Sequence, residues 1–239
     1  HNSGDVIGSY STGGVVGYAV GGTLTYCHNS GDVIGSYSTG GVVGYNEGTL
    51  TNCYNTAYIE GATSGTTSTI YDVAQSAAGG VAGHNFGTTA NSYSRGSVKC
   101  KYSIGGVAGA NTNIGLITNC YASGTIDPDG GVSTYVGGVA GTSSFVESSS
   151  ILFANCYWDF DTLDVAGNID SSHYLVKDSE KKTTAEMQDA TFVDLLNSNA
   201  DTYNNPTDGT DAPVIKACTW SADTQGINNG YPILLYDVE

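Results

Sequence analysis

Two closely spaced aspartate pairs are the residues of this sequence whose chemistry could be catalytic. Asp127 and Asp129 form the first pair, and Asp159 and Asp161 form the second. Paired carboxylates can act as acid and base in glycoside hydrolysis, and several carboxylate oxygens together can bind calcium. The letters DPDGG that begin at Asp127 fall short of the EF-hand loop pattern. We therefore favour a third interpretation, in which all four aspartates are solvated turn residues.

Other signatures of catalysis or metal binding are missing from the sequence. It contains no HExxH, GxSxG or Walker motif. Ser179 and Lys182 fit SxxK by letters but have no companion motif. The cysteines show no CxxC spacing. The histidines stand singly, at His1, His28, His84 and His173. We predict that the protein is not an enzyme and has no catalytic, cofactor-binding or metal site, and no cofactor.

The charge and composition exclude several classes of partner. Seven lysines and arginines face 23 acids, which gives a formal net charge of −16. This balance predicts no nucleic-acid partner, and an anionic membrane surface would repel the chain. We also predict no membrane insertion, because no apolar run approaches the roughly 20 residues that a spanning helix needs. The 34 glycines and only four prolines indicate dense β-turns rather than disorder.

An internal repeat determines the predicted fold. Residues 1–18 and 28–45 read the same letters, HNSGDVIGSYSTGGVVGY. A GGVVG or GGVAG block starts five units, at Gly13, Gly40, Gly79, Gly105 and Gly137. The first full unit divides into three β-like pieces separated by turn residues, which is too short for a propeller blade. We predict an all-β fold, a right-handed parallel β-solenoid of five rungs.

Stacked rungs should place equivalent residues in columns. One column is valine throughout, from Val15 and Val42 onward. Two columns contain asparagine, which tolerates the left-handed conformation of a corner and whose amide can bond to its stacked copy. The first is Asn46, Asn85 and Asn111. The second asparagine column is Asn52, Asn91, Asn119 and Asn155. A column of cysteines next to it, Cys27, Cys53, Cys120 and Cys156, predicts buried and reduced thiols.

Period-two alternation predicts which side chains point inward. Val6, Gly8 and Tyr10 share one face of their piece and should face the interior, with Ile7 outside. Leu50 and Cys53 have opposite parity, so both can face inward only if the chain bends between them. The sequence does not place that bend.

The composition changes near residue 158, where the repeat stops. Only eight of the 23 acids precede Asp159. We predict a solenoid over residues 1–158 and a small α+β C-terminal capping segment over residues 159–239. Thr183 or Thr184 should cap one helix, and Thr191 a second that ends at Asn197. We expect this segment to cover the fifth rung near Trp158, because an open last rung is a template for aggregation.

These residues resemble the GLUG repeat family. The resemblance is carried by GGVVGYNEGTLTNCYN over residues 40–55, and by CYWD, KTTAEM and NNGYPIL at residues 156–159, 182–187 and 228–234. Such repeats occur in large secreted or cell-surface bacterial proteins, including some metallopeptidases that cleave immunoglobulin A. The resemblance implies an extracellular location at the bacterial cell surface. It does not imply peptidase activity, which belongs to other domains of those proteins.

Together these observations favour a non-catalytic repeat module of a bacterial cell-surface or secreted protein. We expect it to act as a stalk or adhesion scaffold, as a monomer, with a host protein or a glycan as its partner. The alternative is a carbohydrate-active or carbohydrate-binding β-helix. A groove that combines three or more acids and aromatics would support the alternative, and a smooth polar wall would support the scaffold.

Overall fold

A computed structural model describes residues 1–63, 76–129, 135–144, 151–163, 175–207, 209–213 and 215–238. Each strand of the repeat region pairs in parallel with the equivalent strands of the units before and after it. Val33, for example, pairs with Val6 on one side and with Ile59 on the other. The chain therefore forms a parallel β-solenoid of five rungs, as the repeat predicts.

Each rung contributes one short strand to each of five sheets. Sheet 1 contains β1 (Val6–Ile7), β6 (Val33–Ile34), β11 (Ile59–Glu60), β16 (Val98–Cys100) and β21 (Ile126–Pro128). Sheet 2 contains β2 (Tyr10–Gly13), β7 (Tyr37–Gly40), β12 (Ala77–Gly79), β17 (Ser103–Gly105) and β22 (Tyr135–Gly137). Sheet 3 contains β3 (Val16–Ala19), β8 (Val43–Asn46), β13 (Ala82–Asn85), β18 (Ala108–Thr112) and β23 (Ala140–Ser144).

The two remaining sheets each gain a sixth strand. Sheet 4 contains β4 (Thr23–Thr25), β9 (Thr49–Thr51), β14 (Thr88–Ala90), β19 (Leu116–Thr118), β24 (Ile151–Ala154) and β26 (Leu175–Lys177). Sheet 5 contains β5 (His28–Asn29), β10 (Tyr54–Asn55), β15 (Tyr93–Ser94), β20 (Tyr121–Ala122), β25 (Tyr157–Asp159) and β27 (Glu180–Lys182). The parallel stack thus continues to Lys182, and the predicted domain boundary after residue 158 falls inside β25.

The interior contains the predicted apolar columns. Val42, Val81, Val107 and Val139 are fully buried in one core cluster. The Val15 amide donates to the Val42 carbonyl oxygen at 3.0 Å, which confirms that these valines stack. Close contact between strands also explains the glycine blocks. A Cβ atom on Gly40 would lie 2.1 Å from the Val43 carbonyl oxygen, so no larger residue fits there without a shift.

The bend that the sequence left unplaced lies at Asn52. This residue has a left-handed backbone, with φ of 56°, and it turns the chain so that Leu50 and Cys53 both point into the core. The same conformation recurs at the equivalent residues of the other rungs, Tyr26, Asn91, Asn119 and Asn155. Our prediction of the left-handed corner in the other asparagine column was wrong, because Asn46, Asn85 and Asn111 lie within the extended strands of sheet 3.

The inward orientation predicted for Tyr10 was also wrong. Tyr10 is 77% exposed, and its ring stacks on that of Tyr37 outside the solenoid at 4.9 Å. The piece DVIGSYS is split between two strands of different sheets, β1 and β2, at Gly8. Period-two alternation therefore ends at Gly8 and does not carry through to Tyr10. In the second rung, Val33 is buried and Ile34 is partly exposed, as the alternation predicts for this strand.

The C-terminal segment contains two helices and a small antiparallel ribbon. Helix α1 (Thr184–Met187) begins with a capping box between Thr183 and Glu186, which confirms Thr183 as the cap. Helix α2 (Ala190–Asn204) is capped by Asp189 and extends beyond the predicted end at Asn197. Strands β28 (Trp220–Ser221) and β29 (Ile233–Leu234) pair with each other, and a 3₁₀ turn, Leu235–Val238, follows.

The predicted position over the fifth rung is correct only for β26 and β27, which pair with β24 and β25 and place Lys181 opposite Trp158. The helices and the ribbon lie along the side of the solenoid. The Cys218 amide donates to the Asn52 side-chain oxygen of the second rung at 2.8 Å. Trp220 Nε1 donates to Asn91 of the third rung at 2.6 Å, and Asn119 of the fourth rung donates to the Leu196 carbonyl at 3.1 Å. Strands β26 and β27 extend two sheets beyond the fifth rung. Helices α1 and α2 and the β28–β29 ribbon cover the aromatic outer face of sheet 5, and we call this part, after Lys182, the lateral cap.

Candidate functional site

A column of aromatic rings runs along the outer face of sheet 5. His28 stacks on Tyr54 with ring centroids 4.7 Å apart, and Tyr54 stacks on Tyr93 at 4.9 Å. Tyr93 in turn stacks on Tyr121 at 5.1 Å. The parallel register of sheet 5 produces the column, because each ring occupies the same position in its rung.

The lateral cap buries only the later part of the column. Tyr93, Tyr121 and Tyr157 form one apolar cluster with cap residues that include Phe192 and Trp220. His28 and Tyr54, in the first two rungs, are only half-buried. The column therefore emerges from beneath the cap at its N-terminal end.

A recess of about 260 Å³ lies where the column emerges. The rings of His28, Tyr54 and Tyr93 form its aromatic side. Three stacked polar residues, Ser30, Thr56 and Arg95, line it as well. The ring of His1 closes one end, stacked on His28 at 3.9 Å. Among the described residues that line the recess there is no carboxylate.

The cap contributes one residue to this recess from a well-fixed loop. The carboxylate of Asp223 accepts hydrogen bonds from the amides of Ile227, Asn228 and Gly230 at 3.0, 2.7 and 2.9 Å. Burial raises the pKa of Asp223, but the amide hydrogen bonds from Gly230, Asn228 and Ile227 outweigh it and lower that pKa overall. The loop presents Ile227, which is 46% exposed, to the recess.

Arg95 is the charged group of the recess. The ion pairs among the described residues are Lys99–Asp129 at 3.3 Å and Lys182–Glu180 at 2.6 Å, and neither involves Arg95. The Nε atom of Arg95 is buried and has no hydrogen-bond partner in the described part of the chain. This unmet donor is a feature that the repeat pattern alone did not reveal.

Asparagine amides form hydrogen-bonded columns between the rungs. Asn91 donates to Asn52 at 2.8 Å, and Asn119 donates to Asn91 at 2.7 Å. The other predicted column is bonded in the same way, from Asn46 to Asn85 at 2.9 Å and from Asn85 to Asn111 at 2.8 Å. The sequence reasoning missed a third column, formed by Asn2, Asn29 and Asn55 at 2.7 and 2.9 Å. These amides satisfy one another and therefore have a structural role.

The two candidate aspartate pairs lie at different sheets, and Asp129, Asp159 and Asp161 have side-chain partners. Asp127 lies in β21 of sheet 1, and its neighbour Asp129 pairs with Lys99. Asp159, in β25 of sheet 5, is fully buried and accepts hydrogen bonds from the Tyr231 hydroxyl and from Thr184 Oγ1, the latter at 2.7 Å. Asp161 accepts from the Thr184 amide at 2.9 Å. The predicted solvated turn is wrong for the buried Asp159, whereas Asp161 is exposed and lies in a turn. Both accept hydrogen bonds from Thr184 and so form an attachment point for the lateral cap.

The three closing motifs of the sequence meet at this attachment point. Asp159 comes from CYWD, Thr184 from KTTAEM and Tyr231 from NNGYPIL. Burial and the hydrogen bond to Asp159 raise the pKa of Tyr231 to about 12, so its hydroxyl keeps the proton that it donates. From NNGYPIL, the Asn228 side chain also donates to the Tyr121 hydroxyl at 2.8 Å. The three motifs, which lie far apart in the sequence, thus converge on the Asp159 carboxylate.

The other candidate groups show structural contacts. Ser179 Oγ accepts from the Cys156 amide at 2.9 Å, whereas Lys182 pairs with Glu180. His84 is buried, and its Nε2 lies 2.6 Å from Thr112 Oγ1. Burial lowers the pKa of His84 to about 4, so the ring is neutral at physiological pH. His173 lies outside the described residues.

The cysteines are free thiols, as predicted. Cys53, Cys120 and Cys156 are buried, whereas Cys27 at the end of the column is only half-buried. Burial raises the pKa of Cys156 to about 12, which makes it unreactive as a nucleophile. Within the described ranges, no three His, Cys, Asp or Glu side chains form a group that could hold a metal ion. In the same ranges, no helix is long and apolar enough to cross a membrane.

A parallel solenoid with a glycine block and an Asn-Cys-Tyr landmark in successive rungs defines a repeat protein. The GLUG motif matches residues 8–34, 35–59 and 102–127, which lie within this repeat region. These three matches support a GLUG-repeat family for the chain. No curated protein and no solved structure matches the chain significantly.

Proposed function

We propose that the chain is a non-catalytic repeat module of a bacterial cell-surface or secreted protein, acting as a stalk or adhesion scaffold. The observation that supports this proposal is the continuous stack of rungs, tied together by amide columns and by the lateral cap. The candidate acids and the SxxK pair have structural contacts. We infer an extracellular location, a monomeric state, and a host protein or glycan as the partner.

Among these roles, the positions of the described ends favour an adhesion scaffold. At one end, the ring of His1 stacks on His28 in the first rung. At the other, Tyr236 contacts Tyr26 of the same rung, with ring centroids 4.9 Å apart. Residues 1 and 236 therefore both lie beside the first rung, and the uncovered outer faces of the other sheets are the surface that a scaffold would display.

Partner binding and catalytic turnover, both measured on the same purified protein, test this proposal. The full chain would be immobilised and exposed to panels of polysaccharides and extracellular host proteins, while the solution is assayed for released sugar ends and peptide ends. We expect retention of at least one partner without product. Product release that persists through repeated purification would contradict the non-catalytic role. Absence of retention across both panels would contradict the adhesion role, and immunolabelling of intact source cells tests the location.

The carbohydrate-binding alternative is supported by the recess beside Arg95. It combines four aromatic rings, two hydroxyl residues and a cation, which is the kind of polar and apolar lining that sugar rings contact. The expected acids are missing from its described lining, so the recess favours binding over hydrolysis.

A further inference from the structure

We infer that the recess beside Arg95 binds the carboxylate of an acidic sugar, a hexuronate. This inference rests on the carbohydrate-binding candidate and names its ligand. Three features of the recess support it: a guanidinium without an acidic partner among the described residues, two neighbouring hydroxyl side chains, and an apolar wall of limited size.

Among the described residues, the guanidinium of Arg95 has no acidic partner, although the chain has an excess of acids. Acids outnumber lysines and arginines by 23 to 7. Neither ion pair of the described residues uses Arg95, and its Nε donor is buried without a partner. A guanidinium presents donors in a planar fork that matches the two oxygens of a carboxylate. Because Arg95 lines the recess, a carboxylate bound there would supply the acidic partner that the described residues do not.

Two hydroxyl residues are stacked beside Arg95 at equivalent positions of the preceding rungs. The Arg95 amide donates to the Asn55 carbonyl at 2.9 Å, and the Thr56 amide donates to the Asn29 carbonyl at 3.0 Å. This register places Ser30, Thr56 and Arg95 in one column along the recess. A hydroxyl group both donates and accepts, so these two residues can bind sugar hydroxyls next to the carboxylate site.

The remaining wall is apolar and limits the size of the ligand. Tyr54 and Tyr93 line it from sheet 5, and the exposed side chain of Ile227 lines it from the cap loop. The volume of about 260 Å³ is below the range of about 300–1,000 Å³ typical of drug-sized ligands. One sugar ring therefore fits better than an extended chain, and the apolar wall can contact its C–H groups.

Binding of small sugars to the full chain tests this inference. Glucuronate and galacturonate would be titrated by calorimetry or ligand-observed NMR, with glucose, galactose and acetate as comparison ligands. We expect millimolar binding of a uronate, which corresponds to roughly 4 kcal/mol. The neutral sugar should bind about tenfold or more weakly, because a charge-assisted hydrogen bond contributes about 1.5–3 kcal/mol. Acetate should also bind more weakly than the uronate.

Three variants assign the binding to Arg95. Arg95→Gln should weaken uronate binding by about tenfold or more. Arg95→Lys should retain part of the binding, because lysine keeps the positive charge but lacks the planar fork of donors. Lys99→Gln is the matched control, because it removes the same charge from another sheet, where the amine pairs with Asp129. It should leave uronate binding unchanged. Thermal unfolding of each variant verifies that the fold is intact.

Each outcome has a defined meaning. Equal binding of neutral and acidic sugars, insensitive to Arg95→Gln, would overturn the carboxylate site while leaving carbohydrate binding in place. Acetate that binds as tightly as a uronate would overturn the sugar assignment. Absence of binding by every sugar would overturn the inference and remove the support for the carbohydrate-binding candidate. A uronate preference lost in Arg95→Gln and kept in Lys99→Gln would support it.

Discussion

The buried imidazole of His84 should make the stability of the solenoid fall as the pH drops below neutrality. In the folded chain, Nε2 lies 2.6 Å from Thr112 Oγ1, and Nδ1 is buried without a hydrogen-bond partner. Burial lowers the pKa of His84 from 6.5 to about 4. The unfolded chain therefore binds a proton near pH 6.5 that the folded chain accepts only near pH 4. Stability contributed by neutral His84 is complete above the higher value and is lost as the pH falls towards the lower one.

The magnitude follows from the difference between the two pKa values. Integrating proton uptake between about pH 7.5 and about pH 5 gives a loss of about 2 kcal/mol in the free energy of unfolding. Carboxylates titrate mainly below this range, since their ordinary pKa values are about 4. The decrease in this window is therefore dominated by histidine. Burial also lowers the pKa of His28, which adds a smaller contribution of the same sign.

Urea unfolding of the wild type and of His84→Gln across this pH window isolates the effect. Glutamine does not titrate, and its side-chain nitrogen can replace Nε2 as the partner of Thr112. We expect the variant to lose about 2 kcal/mol less than the wild type between about pH 7.5 and about pH 5. Parallel stability curves for the two proteins would refute the reasoning, because they would show that His84 does not titrate differently on unfolding.

Four further predictions follow from the stack and the cap. Gly40→Ala should cost about 2 kcal/mol or more in urea unfolding, since its Cβ would lie 2.1 Å from a backbone oxygen, whereas Gly4→Ala, with 3.9 Å to the nearest atom, should be close to neutral. Tyr231→Phe should cost about 1–3 kcal/mol, because the buried Asp159 carboxylate loses a donor; an unchanged melting temperature would contradict this. Thiol titration of the denatured, unreduced protein should count six free cysteines, and a count of four or two would indicate disulfides. A chain ending at residue 182 keeps β27 but loses the lateral cap, so light scattering should detect self-association through the uncovered tyrosines; a soluble monomer would contradict it.

The repeat was sufficient to predict the fold because each rung is a local copy of the next. The stacking of Val42 on Val15 and the reduced cysteines follow from equal spacing in the sequence. Orientation within a rung was harder to predict. Tyr10 points outward because a strand break at Gly8 interrupts the alternation, and no pattern in the letters marks that break.

The position of the cap could not be predicted from local patterns. Its hydrogen bonds join residues far apart in the chain, such as Cys218 to Asn52 and Trp220 to Asn91. These contacts depend on the left-handed bend, which turns the asparagine side chains towards the cap, and that bend was unplaced in the sequence. The recess beside Arg95 was missed for the same reason, since Ile227 reaches it only through the lateral course of the cap.

The lateral cap also determines at which end the solenoid can lengthen during evolution. Among the described residues, its hydrogen bonds to the solenoid depend on individual residues in rungs two to five, including Asn52 and Tyr157. A copied rung inserted among them would shift those side chains out of register with the cap. A rung copied on the N-terminal side of Asn52 leaves these contacts in place, and the identical letters of residues 1–18 and 28–45 lie on that side. Gene duplication is therefore tolerated at one end of the rod, and variation in rung number should be concentrated there.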